Sequence, residues 1–179
     1  APPGLWGAVA LVDITPRTEF DGAQRILSFM TAHIPDGFAS LEDAAKVIAA
    51  YNPHRPRPDN LDGLHKVLRH RGDGRWVWRW DPALITSDFV SFHRDPAVGA
   101  EQSGTTVSSF ITGARQITAP TLLVRGAMSD VVSDETVSEF LDLVPHAETV
   151  EVCGTGHMVA GDDNDAFTAA VADFLKRCA

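Results

Sequence analysis

Two polar residues follow short strand-like runs near the end of the chain. Asp130 closes Gly126-Ala-Met-Ser-Asp130 after Thr121 to Arg125, and His157 closes Cys153-Gly-Thr-Gly-His157 after Glu148 to Val152. Ligands of doubly wound sheets bind outside the carboxyl ends of the strands, so such residues are the first candidates for chemistry. Gly154 and Gly156 permit a sharp turn that brings the His157 imidazole back over the strand ends. A carboxylate on one strand end and an imidazole on the next form the second half of a proton relay, in which the acid fixes the tautomer of the histidine and the histidine takes a proton from a nucleophile. Asp13, at the end of the apolar run Leu5 to Ile14, is the competing acid, otherwise a structural hydrogen-bond acceptor.

The elements that must carry these residues are readable. Leu5 to Ile14, Thr121 to Arg125 and Glu148 to Val152 have the length, β-branched content and flanking Pro or Gly of strands. The first is nearly continuously apolar, as expected for a strand buried on both faces. Ser133 predicts a helix start, with Asp134 and Glu135 in the first turn and Val137, Phe140, Leu141 and Val144 on one face. A last helix is expected over about Asp165 to Arg177. Alternation of strand and helix from residue 121 implies parallel strands joined by right-handed crossovers.

Residues 15–120 are far more than the dozen or so that such a crossover needs, so an insertion is expected there. Ser40 with Asp43 starts a helical stretch through Ala50, ended by Asn52 and Pro53. A second is expected over about Leu61 to Arg71, ended by Gly72, with Pro53, Pro56 and Pro58 stiffening the connection. Trp76, Trp78 and Trp80 alternate as in an extended segment that packs against this insertion or lines an apolar pocket.

The 179 residues fit one ordinary domain, and 44% apolar residues suffice for a packed core. A net charge of −9 argues against a nucleic-acid partner and favours small molecules. Positive charge concentrates in residues 53–80, where seven Lys or Arg face three Asp, as on a solvated surface. Cys153 and Cys178 form neither a disulfide framework nor a metal cluster, which points to the cytoplasm. Asp162, Asp163 and Asp165 lack the ligand spacing of a cation loop and are read as loop and helix caps, while His54, His65, His70 and His93 lack metal spacing. No apolar run is long enough to span a bilayer and no signal segment opens the chain, so no membrane partner is expected.

Over nearly its whole length the sequence resembles the α/β-hydrolase family. The resemblance rests on Pro120-Thr-Leu-Leu-Val-Arg-Gly126 with Asp130, on Pro145 to Val152 followed by Gly156-His157-Met158, and on Leu11-Val-Asp13. It implies an α/β fold, the C-terminal portion of a hydrolase parallel sheet with an inserted, mostly helical cap. Residues 1–17 would be a core strand, 18–113 the cap and 114–179 the C-terminal core with two strands and two helices. Asp130 is then the triad acid and His157 the general base, and Trp76, Trp78, Trp80, Tyr51 and Met158 are the expected substrate-binding residues. The run from His157 to Asp162 and the cap are most similar to the branch of non-haem peroxidases, lactonases and epoxide-hydrolase-like proteins.

The family's nucleophile elbow, G-x-S-x-G, needs two glycines four residues apart, and no pair in this chain has that spacing. The resemblance therefore implies a missing N-terminal half of the same fold, about a hundred residues, as the partner that carries the nucleophile. The expected function is hydrolysis of an ester, lactone or similar small apolar substrate, with no metal and no organic cofactor. Epoxide or haloalkane hydrolysis through an Asp nucleophile is the alternative, for which Tyr51 supplies at most one of the two cap tyrosines that epoxide hydrolases generally use. A truncated, non-catalytic remnant is the alternative of another class. The apolar run Leu5 to Ile14 is expected at an outer edge of the sheet.

Overall fold

A computed structural model describes residues 5–55, 60–83 and 107–178. Pro56, Pro58 and His93 lie outside the described residues, as does much of the expected cap between 84 and 106. In chain order the elements are β1 (Val9–Val12), α1 (Phe20–Ala32), α2 (Leu41–Tyr51), a 3-10 turn (Asp62–Lys66), β2 (Leu68–His70) and β3 (Trp76–Trp78). There follow helical residues 107–115 (α3), β4 (Thr121–Gly126), α4 (Asp134–Leu143), β5 (Glu148–Val152), α5 (Val159–Asp162) and α6 (Asn164–Cys178). The chain divides into two compact units, one of residues 1–23 with 100–179 and the other of residues 24–99.

In the first unit β1, β4 and β5 form a parallel sheet in the order β1-β4-β5, with Leu11 beside Leu123 and Val124 beside Val150. β4 is the central strand, and Leu122, Leu123 and Val124 are fully buried. Alternate side chains of a strand point to opposite faces, and the core divides accordingly. Leu122, Val124 and Val152 pack with Val159 and Phe174, while Leu123 packs with Ala114, Phe140 and Val144. Helices thus cover both faces of β4, as the alternating pattern predicts. β1 is shorter than the apolar run suggests and lies at the edge among the described strands, with Ala10 exposed.

Caps fix the helix starts. Ser133 Oγ accepts Thr136 N–H while Thr136 Oγ1 accepts Ser133 N–H, a reciprocal pair at the N-terminus of α4. Asp163 Oδ1 accepts Ala166 N–H at the start of α6.

In the second unit α2 begins at Ser40, whose Oγ accepts Asp43 N–H, and ends at Asn52, as expected. The helix expected over Leu61 to Arg71 is corrected: a 3-10 turn ends at Lys66, and Leu68–His70 pairs antiparallel with Trp76–Trp78. Leu68 and His70 on one strand lie opposite Trp78 and Trp76 on the other, and this cross-strand pairing outweighs local helix propensity. Asp73-Gly74 makes the turn, with Gly74 at φ +86°. The core of the unit is Phe38, Ala44, Leu68 and Trp78.

Candidate active site

Three strand ends supply the site. β1 delivers Asp13, whose N–H still pairs with Val124 O at 2.7 Å, one residue beyond the strand. Asp13 then turns at φ +50°, a left-handed conformation that Asp tolerates better than most residues. β4 delivers the turn from Gly126 to Ser129, and β5 the loop from Cys153 to His157. Gly126 cannot be larger: a Cβ there would lie 2.2 Å from Gly156 O and 2.7 Å from Thr155 O. Gly154, at φ +70°, reverses the chain after β5. The two segments are then tied together, Ala127 N–H to Val152 O at 3.0 Å and Met128 N–H to Thr155 O at 2.8 Å. Asp162 Oδ2 accepts Gly156 N–H at 2.9 Å, anchoring the peptide next to His157 from α5.

The carboxylate that meets the imidazole is Asp13. His157 Nδ1 lies 2.9 Å from Asp13 Oδ2; Asp13 is wholly buried and the His157 side chain is 30% exposed. An ionised carboxylate only accepts, so Nδ1 carries a proton, and whenever the ring is neutral its lone pair is on Nε2. Asp13 Oδ1 also accepts Gly126 N–H at 3.0 Å, and Oδ2 accepts the Ser129 hydroxyl at 2.6 Å. Three donors thus compensate the buried carboxylate, which without them would be costly to ionise.

The hydrogen bond expected of Asp130 is therefore made by Asp13. The parallel register aligns Val12 with Val124, which brings the first polar residue after β1 beside the start of the β4 turn. Asp130 is half-buried in that turn, with its carbonyl against Gly22. Sequence reasoning gave Ser129 no role, although it is the residue of the turn that reaches the acid. The signal that favoured Asp13 was present: it is the first charged residue of the chain, at the end of a wholly apolar run, where a buried carboxylate needs donors.

The expected substrate-binding residues divide. Met158 is exposed beside His157. Trp76, Trp78 and Trp80 pack in the core of the second unit, where Trp78 lies edge-on to Phe38 at 5.3 Å and stacks on Trp80 at 5.8 Å. Tyr51 stacks on Phe29 at 4.0 Å, beneath the Arg25 guanidinium. His65 and His70 each meet Trp76 edge-on at 5.2 Å. Among the described residues no group of three or more His, Cys, Asp or Glu could hold a metal ion, and no helix is long and apolar enough to cross a membrane.

The parallel sheet with helices on both faces and a histidine loop after β5 agrees with the α/β-hydrolase fold, and curated relatives and solved structures point to that fold family over most of the chain. The chain is 28% identical over 180 residues to esterase Rv0045c of Mycobacterium tuberculosis, covering 97% of this chain and 54% of that protein. It is 27% identical over 153 residues to the 3-hydroxybutyrate-oligomer hydrolase of Cupriavidus necator, covering 82% and 49%. The crystal structure of esterase Rv0045c matches with a TM-score of 0.69 at 26% identity, over 98% of this chain and 54% of that one. That of E-2-(acetamidomethylene)succinate hydrolase matches with a TM-score of 0.73 at 20% identity, over 98% and 59%. No family model matches the chain. The chain spans about half the length of the curated relatives it matches.

Proposed function

We propose that this chain supplies the acid and the base of a hydrolase that cleaves an ester, lactone or similar small apolar substrate through a covalent acyl-enzyme. The Asp13–His157 hydrogen bond, made across the carboxyl end of β4 from the two strands that flank it, carries the reading, and relatives named esterase and hydrolase support it. In the proposed reaction His157 Nε2 takes the proton of a nucleophilic hydroxyl outside these 179 residues as that oxygen attacks the substrate carbonyl. Asp13 holds the ring and stabilises the imidazolium that forms. The imidazolium then protonates the leaving alkoxide as the carbonyl–oxygen bond breaks. Water then attacks the acyl carbon as His157 takes its proton, and the imidazolium returns that proton to the nucleophile's oxygen as the acyl–oxygen bond breaks and the acid leaves.

This division of labour makes the chain by itself a poor catalyst. An imidazole without a positioned hydroxyl or an oxyanion hole lacks the largest part of the stabilisation. The 179-residue chain should therefore hydrolyse p-nitrophenyl acetate no faster than its His157→Ala variant. A His157-dependent burst of nitrophenol would place the nucleophile inside these residues and overturn that part of the reading.

A further inference from the structure

The relay as proposed gives Ser129 no task, yet its hydroxyl touches the acid. Ser129 Oγ accepts the backbone N–H groups of Val131 and Val132, at 3.1 Å each. These occupy the two lone pairs that a hydroxyl oxygen offers. Its single proton is left to donate, and it reaches Asp13 Oδ2 at 2.6 Å, within the range of a charge-assisted bond. That oxygen also receives His157 Nδ1–H, while Oδ1 receives Gly126 N–H. A serine whose acceptor sites are both filled by rigid main chain is a directed donor, with no freedom to turn its dipole.

We propose that Ser129 is a positioning residue for the relay: its hydroxyl, aimed by the Val131 and Val132 amides, holds the Asp13 carboxylate turned with Oδ2 toward His157, and so selects the imidazole tautomer protonated on Nδ1. The proposal rests on the Asp13–His157 relay. Without the hydroxyl, Asp13 keeps only one fixed donor, the Gly126 amide on the opposite oxygen, and can rotate about that contact. The imidazole then returns toward the Nε2-protonated tautomer that free histidine prefers, which has no lone pair on the nitrogen that must take the proton.

The tautomer is read directly from the ring nitrogens of 15N-labelled chain by two-bond proton–nitrogen correlation, with His157 neutral. Ser129→Ala and Ser129→Cys, the second nearly isosteric with a weak donor, should each shift the ratio of tautomers toward Nε2–H by about fivefold, the factor that one ordinary hydrogen bond is worth. Ser129→Thr, which restores a hydroxyl, should return it. A folded Ser129→Cys chain with the wild-type ratio overturns the proposal. A reading that needs no variant is the Ser129 hydroxyl proton itself, which should exchange slowly in the wild-type chain; rapid exchange with water also overturns it. Asp13→Asn separates the two levels. If it shifts the tautomer and the Ser129 variants do not, only the role of Ser129 falls; if it leaves the tautomer unchanged, the relay falls and this inference with it.

Discussion

The two units of the chain use their polar side chains to opposite ends. In the first, Asp13, Ser129 and His157 come from three separate strand ends, and the serine and the histidine both bond to Asp13. In the second, charged side chains donate to main-chain carbonyls, both within the hairpin region and at Pro35 to Gly37. Arg71 Nη1 donates to Pro35 O, Arg75 bonds the carbonyls of Asp36 and Gly37, and Arg79 Nε donates to the carbonyls of His65 and Leu68. Its aromatic rings stack on each other. Chemistry-bearing residue types therefore mark a site only where separate elements make them converge. A cluster close in sequence, such as residues 65 to 80, is more economically used to hold a short hairpin that has little core of its own.

Substitutions can test this contrast, beginning with the acid. In a polypeptide that also carries the nucleophile, Asp13→Asn should lower kcat by about 10⁴-fold, as loss of the carboxylate partner does in such relays. Asp130→Asn should cost less than about tenfold in the same assay. The reverse order would restore Asp130 as the acid and dissolve the convergence at Asp13.

Trp78→Ala should destabilise the second unit by about 3–5 kcal/mol, the range for a large aromatic removed from a core. The His157 ring-nitrogen resonances should stay where they are. Denaturant unfolding followed beside those resonances checks both halves, and a shifted His157 would show that the tryptophan serves the site. Gly126→Ala should act the other way round. Its Cβ meets the carbonyls of Thr155 and Gly156, so it should cost about 1–3 kcal/mol of overpacking strain and also weaken the Asp13–His157 bond, visible in the same spectrum.

The smallest effect concerns acid. Hydrogen bonding from Arg71 holds the Asp73 carboxyl at about 2, below its ordinary 3.8. A carboxyl lowered in the folded state stabilises above its unfolded value and loses that contribution as pH falls through the folded one. The turn between β2 and β3 should therefore loosen between about pH 4 and 2, and Asp73→Asn should remove that dependence. Carboxyl carbon shifts followed through an acid titration would show it, and a midpoint near the ordinary value would contradict it.

The sequence made legible what repeats at fixed spacing. Thr121 to Arg125 and Glu148 to Val152 stand as β4 and β5, Ser133 and Ser40 cap the helices expected of them, and the Gly154–His157 loop turns over the strand ends. What stayed hidden depends on contacts between distant segments. Leu61 to Arg71 carries apolar residues that suit a helix, and only pairing with Trp76–Trp78 makes part of it a strand. Asp13 and Asp130 both end apolar runs, and the register between β1 and β4, invisible in either run alone, decides which one reaches the histidine. Ser129 was overlooked because a hydroxyl shows no role until both of its neighbouring amides are located.

The close passage of Gly156 over Gly126 has a mechanical consequence. With Ala127 bonded across to Val152 and Met128 to Thr155, the turn after β4 and the histidine loop cannot open one at a time. They form a single cooperative unit in the sense of sub-global unfolding, so their amides should share one protection against hydrogen exchange, and heat or denaturant should dismantle acid and base together.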